Sequence, residues 1–466
     1  MKIFLTTLLM LISSTTIAQP AATKATTAPT EIKLALQPAK ITRPSLRYRL
    51  LPDPVDLAPG NAAFLYLVAI QLQPVQEMKA HNDELEQMAD WTTMSFDKLP
   101  RDKATALLER YQATLGQLGL AARRKECHWD LPFEHDGYRT LIPYLRDMRT
   151  MGRLLALKAR LQIADQKFDD AAHTLQTGFA LCYHLNQDAL LIQELVAAGV
   201  SAMMLEQVNL WISTPGSPNL YWPLTDLPQP MNDLRTALAQ ERAMGYYSIP
   251  HLREALAGKI TAEGVNEMIA SITGMKGNEG KPDLTTAITN SARIMALGPT
   301  AKLWLSTRGY TAGQLDAMQN PQLVGLYLAR GYDEATEEFF KWKDVPYWQA
   351  AKGLAEIERE IKTDQANVLV SVLLPSLRQA TASTLQPQRR VDALRTLEAI
   401  RDYAANHDGK APATLADLKD LPLPTDVSTG SPFIYQLSTK GFILDAPLTL
   451  PVRSSYGQHY EVTLQN

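Results

Sequence analysis

Hydrophobic residues recur at steps of three and four along most of this chain, most regularly between Leu141 and Ile212. From Arg153 to Ala164, Leu154, Leu157 and Leu161 share one face of a segment rich in helix-forming Leu, Ala, Lys, Arg and Gln. Phe168, Ala171, Leu175, Phe179 and Cys182 mark a second buried stripe. Only Asp165-Gln166-Lys167 breaks the two, so the pattern predicts a helix hairpin. A third helix carries Leu191, Leu195, Ala198, Ala202, Leu205, Val208 and Ile212 on one face. Its small residues Ala198, Gly199 and Ala202 allow another helix to approach closely.

On either side the periodicity continues. Asn61, after Pro59-Gly60, reads as the N-cap of an apolar helix reaching Gln73. Asp102 reads as the cap of an amphipathic helix with Ala104, Leu107, Leu108, Tyr111, Leu115 and Leu118 inward. Ser213 to Pro230 holds five prolines and the pair Tyr221-Trp222, which predicts an ordered crossover. A second helical block runs from Met231 to Ala382, with a Gly-rich interruption from Gly274 to Lys281. An aromatic group, Phe339, Phe340, Trp342, Tyr347 and Trp348, lies near its end. The final segment changes character. Val391, Leu394, Leu397 and Ile400 stripe a helix that ends near Asn406-His407-Asp408-Gly409. Thr414 and Asp417 then form a capping-box pattern. Short strands follow at Pro432–Tyr435 and Gly441–Leu444, with further strand character from Pro451 to Leu464. The fold class is mainly α: an irregular bundle of helix hairpins with a small C-terminal α+β module.

At 466 residues the chain exceeds one simple core. The expected division is a signal peptide over 1–18, a disordered tether over 19–40, a helical domain over 41–216, a second helical region over 217–385 and the module over 386–466. Lys2, the apolar run Ile3–Ile12 and Thr16-Ile17-Ala18 read as a secretory signal cleaved between Ala18 and Gln19. No Cys follows the apolar run, which argues against lipid attachment. No later stretch reads as membrane-spanning. The expectation is an exported protein, periplasmic or extracellular, with no transmembrane segment in the mature chain. In an oxidising compartment Cys127 and Cys182 either pair or stay free. Cys182 lies on an apolar stripe, which suits a free thiol. The net charge of −3 gives no footprint for nucleic acid.

Candidate chemistry concentrates just upstream of the central helices. His128, Asp130, Glu134, His135 and Asp136 crowd one non-helical insert, Cys127 to Asp136, with residue types suited to acid–base work or metal binding. The HExxH pattern is missing, so no metal and no cofactor are assigned. The bland alternative is a polar loop bonded to helix ends. His173 and His184 are 11 positions apart, about 16 Å along a helix, too far to share a metal. Arg139, Arg146, Arg153 and Arg160 repeat every seven residues, with Arg149 beside them. Arg146, Arg153 and Arg160 thus line one face as candidate ligands for an anion, or as internal ion-pair partners. Ser95-Phe96-Asp97-Lys98 has SxxK spacing but no KTG follows. Gly274, Gly277 and Gly280 match no phosphate-binding fingerprint.

Leu155, Ala159, Phe168, Ala171 and Leu175 sit at the packing offsets of a tetratricopeptide unit, and this hairpin resembles one such repeat. Gln162 replaces the usual aromatic and Gly178 the usual Ala. Residues Asn406, His407, Asp408, Gly409, Pro412, Leu415, Leu418, Pro424, Asp426, Gly430, Pro432, Phe433, Tyr435 and Gly441 resemble the globular part of type II secretion pseudopilins, and Leu373 to Leu377 is similar to the helix preceding it. That resemblance implies a fold only, because the prepilin cleavage motif and the calcium-binding loop are missing. Over its length the chain resembles an uncharacterised family of exported bacterial proteins through Pro59–Ala63, Asn219–Trp222 and His407–Pro412. The leading expectation is a non-enzymatic scaffold that binds a protein or envelope component. The alternatives are a periplasmic hydrolase using the 127–136 insert and a structural subunit acting through the C-terminal module.

Overall fold

A computed structural model describes residues 29–75, 77–187, 190–274, 284–363, 366, 370, 374–446 and 457–465. The signal peptide, its Ala18/Gln19 cleavage site and the centre of the Gly-rich interruption lie outside them. The described chain opens with strand β1 (Thr30–Leu36). Strand β2 (Ala58–Asn61) runs into helix α1 (Ala62–Gln71), followed by α2 (Met78–Trp91), α3 (Arg101–Arg110) and α4 (Gln112–Ala121). Strand β3 (Arg124–Glu126) pairs in parallel with β2. The three central helices are α5 (Leu145–Ala164), α6 (Phe168–Leu185) and α7 (Leu191–Ile212). Helix α8 (Leu374–Asn406) precedes strands β4 (Ile434–Leu437), β5 (Gly441–Ala446) and β6 (Gln458–Leu464). The protein is therefore mainly α with a small mixed sheet.

Local chemistry explains the boundaries. Asn61 Oδ1 accepts from Ala63 N at 3.0 Å, the expected N-cap. The helix expected from Asp102 is broken at Tyr111, whose ring is buried and whose hydroxyl donates to Glu84 at 2.7 Å. The α5–α6 hairpin turns at Asp165–Lys167, with Gln166 at φ 56°. Gln162, in the place of the repeat family's aromatic, accepts from Thr174 Oγ1 at 2.7 Å. Gly152 and Gly178 sit where α7 comes closest. A Cβ at Gly152 would meet the Val200 methyls at 3.0 and 3.1 Å. Helix α7 is long and apolar enough to cross a membrane, a property the sequence reading did not assign to it, yet most of its side chains are buried in the core.

Two units divide the chain. The larger joins 29–129, 142–234 and 380–465 among described residues, whereas the smaller joins Asp130–Leu141 with Arg235–Gln379. This differs from a division at 216 and 385. The crossover belongs to the larger unit and buries Leu220, Tyr221, Leu224 and Leu227. A hydrophobic cluster of Met88, Trp91, Leu107, Tyr111, Leu154 and Leu157 locks α2 and α3 onto α5. The four-stranded sheet has the order β1-β6-β5-β4, with β1 parallel to β6 from Thr30↔Gln458 to Leu36↔Leu464. The expected tether over 19–40 thus contains a strand. Leu34 and Leu36 are buried on one face while Lys33 pairs with Glu31 and Glu461 on the other. That period-two pattern becomes a strand only beside the open edge of β6, which lies more than 400 residues away.

The smaller unit is built around helix Asn320–Phe340, which packs against Leu252–Leu256, Ala262–Gly274, Leu284–Ser306 and Tyr347–Thr363. Phe339 and Phe340 are buried edge to face, with ring centroids 5.4 Å apart. A Cβ at Gly353 would fall 2.2 Å from the Trp342 ring. Phe339 and Phe340 are core, Trp342 and Tyr347 are partly buried, and Trp348 is exposed.

Helix α8 holds the larger unit together through buried guanidinium groups. Arg389 donates to both carboxylate oxygens of Asp426, at 2.9 and 2.7 Å, and to the Ala446 carbonyl at 2.7 Å. Both partners are almost completely buried. Arg401 donates to Glu398 at 2.7 Å, the Gln37 carbonyl at 2.9 Å and Ser217 Oγ at 2.9 Å. Asn219 Nδ2 bridges the Ala39 and Glu398 carbonyls at 3.0 and 2.9 Å. Arg389→Met strands the buried Asp426 carboxylate and is expected to cost about 3–5 kcal/mol in chemical denaturation. Adding Asp426→Leu should recover most of that loss. A double variant no more stable than the single one contradicts this account.

Candidate functional site

The polar insert does not form one site within either unit. Cys127, His128 and Trp129 belong to the larger unit, and Asp130, Glu134, His135 and Asp136 to the smaller. Its first part is woven into the start of α1: Asn61 Nδ2 donates to the His128 carbonyl at 2.8 Å, and Asn61 Oδ1 accepts from His128 N at 2.9 Å. Cys127 N donates to Gln187 Oε1 at 2.7 Å. The His128 imidazole is half exposed, 4.0 Å from Glu126. In the smaller unit, Glu134, His135 and Asp136 are exposed on the short helix Phe133–Asp136. Tyr138 N there donates to Ser248 Oγ at 2.8 Å. Among the described residues, no group of three or more His, Cys, Asp or Glu is placed to hold a metal.

Trp129 belongs to a buried aromatic and polar stack of the larger unit. The Trp129 and Tyr144 rings stack at 3.8 Å, and Tyr66 follows at 6.1 Å. His184 Nε2 faces the Arg124 carbonyl at 2.9 Å, so it must carry the proton. Nδ1 then accepts from the Tyr66 hydroxyl at 2.8 Å. Burial pushes the imidazole down to about 4, so it stays neutral. The same burial pushes the Cys182 thiol up to about 12, and Cys127 and Cys182 are both free, buried thiols. A neutral histidine with both nitrogens engaged and an un-ionised thiol make a structural pin, not an acid–base pair. His173 lies elsewhere, bonded to Arg123 at 2.8 Å.

The arginine row splits in two. Arg160 is buried and gives its guanidinium to the Thr92 and Met94 carbonyls, both at 2.9 Å, and to Gln207 Oε1 at 3.0 Å. It is a tie between α2 and α7 and is unavailable to a ligand, which corrects its place in the candidate anion set. Arg139 is exposed in the smaller unit. Arg146 is exposed and bonds Asn82 at 2.8 Å, while Arg149 and Arg153 are half-buried. Desolvation pushes Arg149 down to about 10 and lowers Arg153 too, each with a neighbouring arginine as the second cause.

Sequence reasoning missed the most conspicuous surface. Helix α1 is apolar on both faces. Ala62, Ala63, Tyr66 and Ala69 are buried, while Phe64 is 69% exposed and Leu67 and Leu72 stand open beside it. Val75 and Met78 extend this exposed run beyond the helix. Helix α4 packs against α1 and adds Leu120, 55% exposed, and Gly116, around which space is open. Because Ala58 N bonds the Arg123 carbonyl, the start of α1 and the end of α4 are neighbours, which puts Phe64 and Leu120 at the same end. No charged residue occurs from Leu57 to Val75 or from Tyr111 to Ala122. Those two uncharged runs were the available signal. An all-round apolar helix is normally covered on every side. No family model, curated protein or solved structure matches this chain.

Two histidines predict opposite pH responses. Unfolded chains take up the His184 proton near pH 6.5, but the native state does so only near pH 4. The larger unit should therefore lose about 3 kcal/mol as pH falls through that window. In the smaller unit His251 bonds Glu267 at 2.8 Å and Glu254 at 2.9 Å, and these two bonds, Glu267 first, raise its pKa. Its contribution is complete below pH 6.5 and is lost as pH rises through the raised value. Denaturation series for His184→Gln and His251→Gln should flatten the acid and the neutral limb respectively. Unchanged limbs would contradict the assignments.

Proposed function

We propose that this protein is an exported, non-enzymatic scaffold of the cell envelope that engages a protein partner through the paired faces of α1 and α4. The carrying observation is the uncharged surface of Phe64, Leu67, Leu72 and Leu120 on two packed helices. Burying each large side chain is worth about 1.5–3 kcal/mol, so a few of them supply the centre of an interface. Each helix is only about 15 Å long, too short to span a membrane. A Cβ at Gly116 or Gly119 would meet nothing within 4 Å, so an apolar partner can approach the backbone of α4 beside Leu120. The signal-like N-terminus supports export, and the pseudopilin-like pattern of the C-terminal module supports an envelope setting. Residues 127–136 serve as connection and helix cap in this reading.

The test is site-specific photocrosslinking in intact cells that make the full chain. A photoreactive phenylalanine analogue at position 64 or 120 should give one discrete protein adduct, and the same analogue at exposed Lys103 should give none. Phe64→Glu combined with the probe at 120 should abolish the adduct. Identical adduct patterns at all three positions, or none at any, would overturn the proposal.

A further inference from the structure

A second candidate surface is the arginine-bearing face of α5, which does not depend on the α1–α4 reading. Helices α2 and α7 both pack on α5, and substantial contact between α2 and α7 themselves is lacking. At one end of the α5 face between them, Arg160 ties the Thr92 and Met94 carbonyls to Gln207. Toward its other end, Arg146 reaches across to Asn82 of α2. Arg153 lies on the same face of α5, between these two ends. It is half-buried and makes no hydrogen bond or ion pair with any described residue. Carboxylates of the flanking segments have partners of their own, and Glu206 also acts on Arg160. Asp147 accepts from Gln73 at 2.9 Å, Glu84 from Tyr111 and Arg110, and Glu206 faces Arg390 at 3.9 Å.

We propose that this face of α5 is a binding site for an elongated, phosphate-bearing anion held by Arg146 and Arg153. A half-buried guanidinium beside another cation is unfavourable until an anion supplies the missing charge. Desolvation, with Arg146 as the second cause, already lowers the Arg153 pKa. The two residues are seven apart, about 10 Å along the helix axis. That separation fits two anionic groups on one ligand, and guanidinium forks match phosphate oxygens in pairs. Soluble polyphosphates and the phosphodiester headgroups of an anionic bilayer both present this chemistry.

Sodium tripolyphosphate titrated calorimetrically into the full chain at fixed ionic strength should bind saturably. Arg153→Gln and, separately, Arg146→Gln should each raise the half-saturating concentration about tenfold, the loss of one charge-assisted contact. Arg146 is exposed, so its variant decides the matter if Arg153→Gln does not fold. A parallel arm uses phosphatidylglycerol and phosphatidylcholine vesicles. Arginine-dependent binding to the former alone assigns the site to headgroups, whereas tripolyphosphate binding assigns it to a soluble ligand. No binding to either, or folded variants that bind as the wild type does, would overturn the proposal.

Discussion

Buried guanidinium groups on α8 are the constraint on which the larger unit depends. Arg389 and Arg401 lie twelve residues apart on one helix and are both fully buried. Removing such groups from water costs several kcal/mol each unless every donor finds an acceptor. Here the acceptors come from distant parts of the chain: Gln37 and Ser217 for Arg401, Asp426 and Ala446 for Arg389. A stable helix α8 therefore requires the N-terminal segment, the crossover and the C-terminal sheet to be in place together. Hydrophobic burial alone is non-directional and would not select these partners. The arginine geometry does.

The same logic separates structural from available polar groups elsewhere. His184 and Arg160 satisfy backbone carbonyls inside the core, and each is explained by what it bonds. Arg153 and the open face of α1 are not explained in that way. One is a half-buried charge with no hydrogen-bond or ion-pair partner among the described residues, and the other is apolar surface left in water. These are the two kinds of unmet interaction that a binding protein is expected to display. They differ in chemistry, one being a positive charge and the other an apolar face.

Much of the helical framework was legible in the sequence. The three central helices, the hairpin turn at Asp165–Lys167, the Asn61 cap and the short C-terminal strands all follow from local periodicity and turn chemistry. Tyr111 shows where local reasoning fails. The apolar periodicity runs straight through it, yet its backbone leaves the helical region at φ −96° and ψ 13°, dividing the segment into two helices. The strand Thr30–Leu36 shows the same limit. Its composition resembles a tether, and only the edge of β6 turns its alternation into a strand.

Periodicity placed Arg146, Arg153 and Arg160 on one helical face, and composition marked α1 as apolar. Neither property says which members meet solvent. Arg160 is spent on carbonyls contributed by the end of α2, whereas Arg153, one heptad earlier, meets none among the described residues. Ala62 and Tyr66 are covered by the fold and Phe64 is not, though all three belong to one uncharged run. The sequence by itself determined the local elements, because backbone hydrogen bonding and side-chain spacing act over a few residues. Tertiary structure decided which charges are neutralised and which apolar faces are buried, because those depend on partners tens to hundreds of residues away.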